Sequence, residues 1–116
     1  RMLSKEYRLV KRGSFAYVRS HGNKFSDRYL TFVTLRGRCK RIGFVVSNKV
    51  GKAVRRNLVK RRMRGIVREA LPSIRGGQMI FIARAGAGIT ELAYPELRSR
   101  MLALMAKAGV LREENA

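Results

Sequence analysis

Residues 49–72 read KVGKAVRRNLVKRRMRGIVREALP. At 100° per residue, Val59, Met63, Ile66, Val67 and Ala70 share an arc of about 100°. That stripe predicts a helix over 53–71 with one buried side, ended by Leu71-Pro72. Asn57, Lys60, Arg61, Arg64 and Arg68 fall on the other side, so the outer face is almost purely cationic. Strand-like runs flank the helix. RIGFVVS (41–47) precedes it and QMIFIA (78–83) follows it. In the first run Ile42, Phe44 and Val46 face the core. Gly43, Val45 and Ser47 leave the other face small and open, as a surface that a ligand can approach. A strand, a helix and a strand in this order predict helices packed on a sheet, an α/β two-layer sandwich of the α+β or α/β class.

Working outward, YLTFVTLR (29–36) is a further strand by its β-branched and aromatic content. It places Tyr29, Thr31, Val33 and Leu35 on one face. Gly37 to Lys40 is a basic turn, and Gly76-Gly77 is another turn. Ser14 can cap a short helix over FAYVRSHG, which Gly22 ends. The last helix carries Leu97, Met101, Leu104 and Met105, capped by Thr90 or started later at Pro95. Residues 1–12 are basic and short, expected to be a flexible N-terminal segment. The 116 residues fit one domain, 1–116.

Charge narrows the function. Lys and Arg number 27 against 7 Asp and Glu, a net charge of +20. Between Asp27 and Glu69 the chain carries fourteen basic residues and no acid. A solvated surface mixes signs, so this stretch points to a polyanion. Hydrophobic content of 46% excludes a disordered basic tail. No apolar run approaches the roughly 20 residues of a membrane helix, so no membrane role is expected. No apolar leader is visible at the start. Cys39 is the single cysteine, which suits a reducing cytoplasm.

Catalytic chemistry is hard to assemble from these residues. The acids are scattered and His21 is the only histidine, so no acid–base pair can be built. No zinc spacing and no phosphate-cradling glycine loop is present. We therefore expect no catalytic residue and no metal held by the chain. Phe15, Tyr17 and Tyr29 are candidates to stack on unpaired bases.

The stretch from Lys49 to Arg64 resembles the arginine–asparagine–arginine motif of the bacterial ribonuclease P protein subunit. Lys49, Gly51, Ala53-Val54, Arg56-Asn57, Lys60-Arg61 and Arg64 stand at the family spacing. RLVKRGSFAYVRSHG, RIGFVVSNKVG and MIFIARAG resemble the family's first helix and the strands on either side of the motif. The resemblance spans Leu3 to about Leu111. It implies an α-β-β-β-α-β-α order with a left-handed βαβ crossover, against the general right-handed rule. It implies an RNA-binding subunit whose partners are the catalytic ribonuclease P RNA and precursor tRNA, with no obligate protein partner. The holoenzyme removes the 5′ leader of precursor tRNA, using Mg²⁺ held mainly by the RNA. It implies RNA contacts at Lys49, Lys52, Arg55, Arg56, Asn57, Lys60, Arg61, Arg64 and Arg68. A leader cleft would involve Phe15, Arg19, Val33 and Ser47, with Tyr17 and Tyr29 as compensating aromatics. Arg19 and Val33 stand where the family often has aromatics. The other reading of the charge is a non-enzymatic ribosomal or RNA-chaperone protein.

Overall fold

In a computed structural model describing residues 3–112, β4 (Gly77–Ala83) inserts between two strands that are neighbours in sequence. These are β2 (Leu30–Arg36) and β3 (Lys40–Val45), and β1 (Asn23–Ser26) lies beyond β2. The sheet order is β1-β2-β4-β3. β4 pairs antiparallel with β2 and parallel with β3. The parallel pair needs a long connection, and α2 (Ala53–Ala70) supplies it. α1 (Arg12–His21) and α3 (Tyr94–Lys107) complete the order α-β-β-β-α-β-α. The α+β class and the element order are those expected.

The crossing that admits β4 depends on glycine. The Gly37–Cys39 connection passes over the start of β4, where the Gly77 N–H donates to the Cys39 carbonyl at 3.0 Å. A Cβ on Gly76 would lie 2.5 Å from the Gly37 carbonyl oxygen and 2.6 Å from that of Arg38. No side chain fits between the two backbones.

Alternation along the strands then sorts the core. Leu30, Phe32, Ile42, Met79 and Phe81 point to one face, where Val59, Met63, Ile66 and Val67 of α2 and Leu97, Met101, Leu104 and Met105 of α3 meet them. Phe32 and Phe81 are fully buried with ring centroids 4.5 Å apart. Each such ring contributes about 2–3 kcal/mol by burial. Val33 and Ile80 point to the opposite face and are covered by Val18 of α1 and by Leu9. The two-layer expectation thus describes α2 and α3, while α1 adds a partial third layer.

Of residues 1–12, expected to be flexible, residues 1 and 2 lie outside the described residues, and the rest is anchored by two packed leucines. Leu3 is buried in the α2–α3 core and Leu9 in the α1 core. The chain therefore passes round the edge of the sheet between them. Arg8 bridges Ile42 in parallel, and the Leu9 N–H donates to the Ile42 carbonyl at 3.0 Å. This covers the outer edge of β3, which would otherwise present unpaired backbone groups. Two helix starts also differ from expectation. α1 begins at Arg12, with Ser14 inside its first turn, and α3 begins at Tyr94, with Pro95 in its first turn and Thr90 in a preceding 3₁₀ turn.

Candidate nucleic-acid interface

The cationic face of α2 is built as its periodicity requires. Asn57, Arg61 and Arg68 are exposed, whereas Lys60 and Arg64 are half-buried at the border of the apolar stripe. Among the described residues, Lys60, Arg61, Arg64 and Arg68 form no ion pair with an acid. The start of α2 is unusual. Lys52 occupies its N-cap and no acid lies in its first turn, although the helix dipole favours negative charge there. The Arg56 Nε donates to the Gly51 carbonyl at 3.0 Å, which ties the helix to the preceding loop. Arg55 lies 4.0 Å from Glu91, an exposed and weak pair. Lys49 and Ser47 are exposed beside this loop.

Beside the helix runs an open groove of about 430 Å³. Phe15, Arg19 and Arg12 of α1 line it, with Val45 and Val46 at the end of β3 and Lys60 reaching in from α2. A smaller hollow adjoins it, lined by Phe15, Arg8, Gly43 and Arg64 among others. Phe15 lies directly over Gly43, since a Cβ there would overlap its ring. The groove and the helix stripe are therefore one continuous surface, joined by Lys60 and Arg64.

Four of the expected cleft residues do not line the groove, among them Ser47, which is exposed beside the loop before α2. Val33 is fully buried beneath α1 and presents no surface. Tyr17 is 53% exposed, is not among the groove's lining residues, and stacks on His21 at 4.1 Å. Tyr29 packs on the opposite face of the sheet, with the Arg100 guanidinium 4.5 Å over its ring. Arg100 also pairs with Asp27 at 3.7 Å and with Glu96 at 3.2 Å. Arg100→Ala should therefore cost about 1 kcal/mol in a denaturant melt and leave RNA affinity unchanged. An RNA-binding defect without a stability loss would return Tyr29 to the interface. Conversely, Arg8, Val10 and Arg12 line the two hollows and were missed with the supposedly flexible segment.

Among the described residues no three His, Cys, Asp or Glu side chains cluster as a metal site needs. No described helix is long and apolar enough to cross a membrane.

Fold and site together define a small, strongly basic α+β protein with a cationic helix set beside an open, aromatic-floored groove. The chain belongs to the ribonuclease P protein family, whose model, described as Ribonuclease P, matches residues 3–109. It is 41% identical over 85 residues to the ribonuclease P protein component of Chloroflexus aurantiacus, covering 71% of this chain and 63% of that protein. That is less than two-thirds of the relative's length. With the ribonuclease P protein component of Symbiobacterium thermophilum it shares 36% over 115 residues, 97% of this chain and 99% of the relative. The structure of the Staphylococcus aureus RNase P protein superposes with a TM-score of 0.85 at 26% identity, over 93% of this chain and 100% of the other. The Thermotoga maritima RNase P protein superposes with a TM-score of 0.77 at 28% identity, over 86% and 96%.

Proposed function

We propose that this chain is the RNA-binding subunit of ribonuclease P, an endoribonuclease that removes the 5′ leader of precursor tRNA in the cytoplasm. The observation that carries the reading is the junction of the α2 stripe with the Phe15 groove through Lys60 and Arg64. A cationic helix suits the phosphate ridge of a folded RNA. A groove with an aromatic floor and arginine walls suits a single strand, whose bases stack while its phosphates meet guanidinium groups. One surface can thus hold the catalytic RNA and the single-stranded leader side by side.

In this reading Arg61, Arg64, Arg68 and Asn57 grip the catalytic RNA. Phe15 stacks on a leader base, and Arg12 and Arg19 meet leader phosphates. Lys60 lies between the two RNAs. Cleavage of the phosphodiester belongs to the RNA and its Mg²⁺. The protein contributes affinity and position.

Reconstitution tests the reading. The chain is mixed with a bacterial ribonuclease P RNA and precursor tRNA at low Mg²⁺, where the RNA alone is weak. The expected result is accurate release of the 5′ leader that depends on the chain. Tight RNA binding without any stimulation, repeated with a cognate RNA, would favour a ribosomal or chaperone role instead.

A further inference from the structure

A second group of cations gathers at the other end of the sheet. Arg36 ends β2, Arg38 lies in the connection to β3, and Arg75 precedes β4. All three are exposed. Their backbones are locked together. Arg36 pairs with Gly77 in the β2–β4 register, a Cβ on Gly76 would overlap the Arg38 carbonyl, and the Arg75 N–H donates to the Val110 carbonyl at 2.7 Å. Arg36 and Arg75 line a cavity of about 280 Å³ together with Asn23 and Val110.

This group lies beyond the C-terminal end of the α2 stripe. Lys40, at the start of β3, donates to the Leu71 carbonyl at 2.7 Å and so marks the C-terminal end of α2. Within the stripe, Arg68 lies three residues before Leu71, and Asn57 fourteen, about 20 Å away along the helix. Among the described residues, Arg36, Arg38 and Arg75 form no ion pair. The nearest acids in sequence are engaged elsewhere, Asp27 with Arg100 and Glu69 with Arg98. Like charges held on a rigid backbone repel. Such crowding is relieved when an anion sits among them.

We propose that Arg36, Arg38 and Arg75 form a second phosphate-binding site for an RNA backbone, outside the groove and past the C-terminal end of the α2 stripe. The ligand class rests on the subunit reading above. With contacts from Asn57 at one end to this cluster at the other, one folded RNA is held in a single orientation, because each later contact becomes intramolecular once the first is made.

Cys39 supplies a built-in probe. It is the single cysteine, it is exposed, and it follows Arg38. Iodoacetamide alkylation of the wild-type chain is followed with and without ribonuclease P RNA. An RNA backbone seated on Arg38 should slow the reaction several-fold by covering the adjacent exposed thiol. Arg36→Gln/Arg75→Gln should abolish that protection. It should also lower the slope of log affinity against log salt by about 2, at roughly 0.9 per phosphate contact. The preference for precursor over mature tRNA should stay as in wild type. Relief of repulsion should raise the melting temperature of this variant at low salt, and the gain should fade at high salt. Equal alkylation rates in free and bound wild-type protein, or a wild-type salt slope in the variant, would overturn the site. The same measurements on a plain RNA duplex separate the two proposals. Cys39 protection there, without selective binding to ribonuclease P RNA, would sink the subunit reading and keep the site.

Discussion

Arg61→Ala/Arg64→Ala weakens binding to a bacterial ribonuclease P RNA by about 10- to 100-fold, on the scale of two lost charge-assisted contacts. The slope of log affinity against log salt falls by about 2, because each lost phosphate contact removes roughly 0.9. The fold survives. Arg61 is exposed and Arg64 half-buried, neither pairs with an acid among the described residues, and alanine favours helix at least as well as arginine. The buried residues of α2 are Val59, Met63, Ile66 and Val67, which the change leaves alone. Filter binding across a salt series, beside circular dichroism of the variant, measures both effects. A folded variant that keeps wild-type affinity and slope would remove the stripe from the mechanism.

The difference between what periodicity revealed and what it hid has a physical basis. The α2 stripe was legible because its contacts follow from spacing within one helix. Of the five residues read as the stripe, Val59, Met63, Ile66 and Val67 are buried and Ala70 is half-buried. The strand faces were legible for the same reason, and Phe32, Phe44 and Phe81 lie together on one face of the sheet. What failed was the placement of one element on another. Val33 was assigned to its correct strand face, but where α1 crosses the sheet is fixed by distant partners, and Val18 lies on top of it. Tyr29 precedes the start of β2. The turn at Asp27, whose side chain accepts the N–H groups of Tyr29 and Leu30 at 2.8 Å each, redirects it toward Arg100. Leu3 and Leu9 fit neither a helical nor a strand period, because the chain between them rounds an edge instead of following a face. The insertion of β4 between β2 and β3 left only a trace, the paired glycines at 76 and 77, which read as an ordinary turn.

The groove yields a variant that moves an aromatic ring without deleting it. Phe15 rests on Gly43, and a Cβ at that position would overlap the ring while lying 3.2 Å from the Leu9 Cβ. The ring is the far end of a side chain on a half-buried position, so it yields before the strand does. Gly43→Ala should keep the fold at a cost of about 1–3 kcal/mol of overpacking. The displaced ring should lower the preference for precursor over mature tRNA by about tenfold, the scale of one lost base stack. Phe15→Ala should lose the same preference by deleting the ring. Because the two residues touch, their effects are coupled. In the Phe15→Ala background the Gly43→Ala change meets an empty site, so most of its stability cost disappears and the preference falls no further. Melts and tRNA competition on the two single variants and the double variant complete the cycle. An equal stability cost for Gly43→Ala in both backgrounds would mean that Phe15 is not what the methyl group displaces. Folded Gly43→Ala protein with wild-type leader preference would take the ring out of the leader site, leaving Arg12, Arg19 and Lys60 to hold the strand through its phosphates alone.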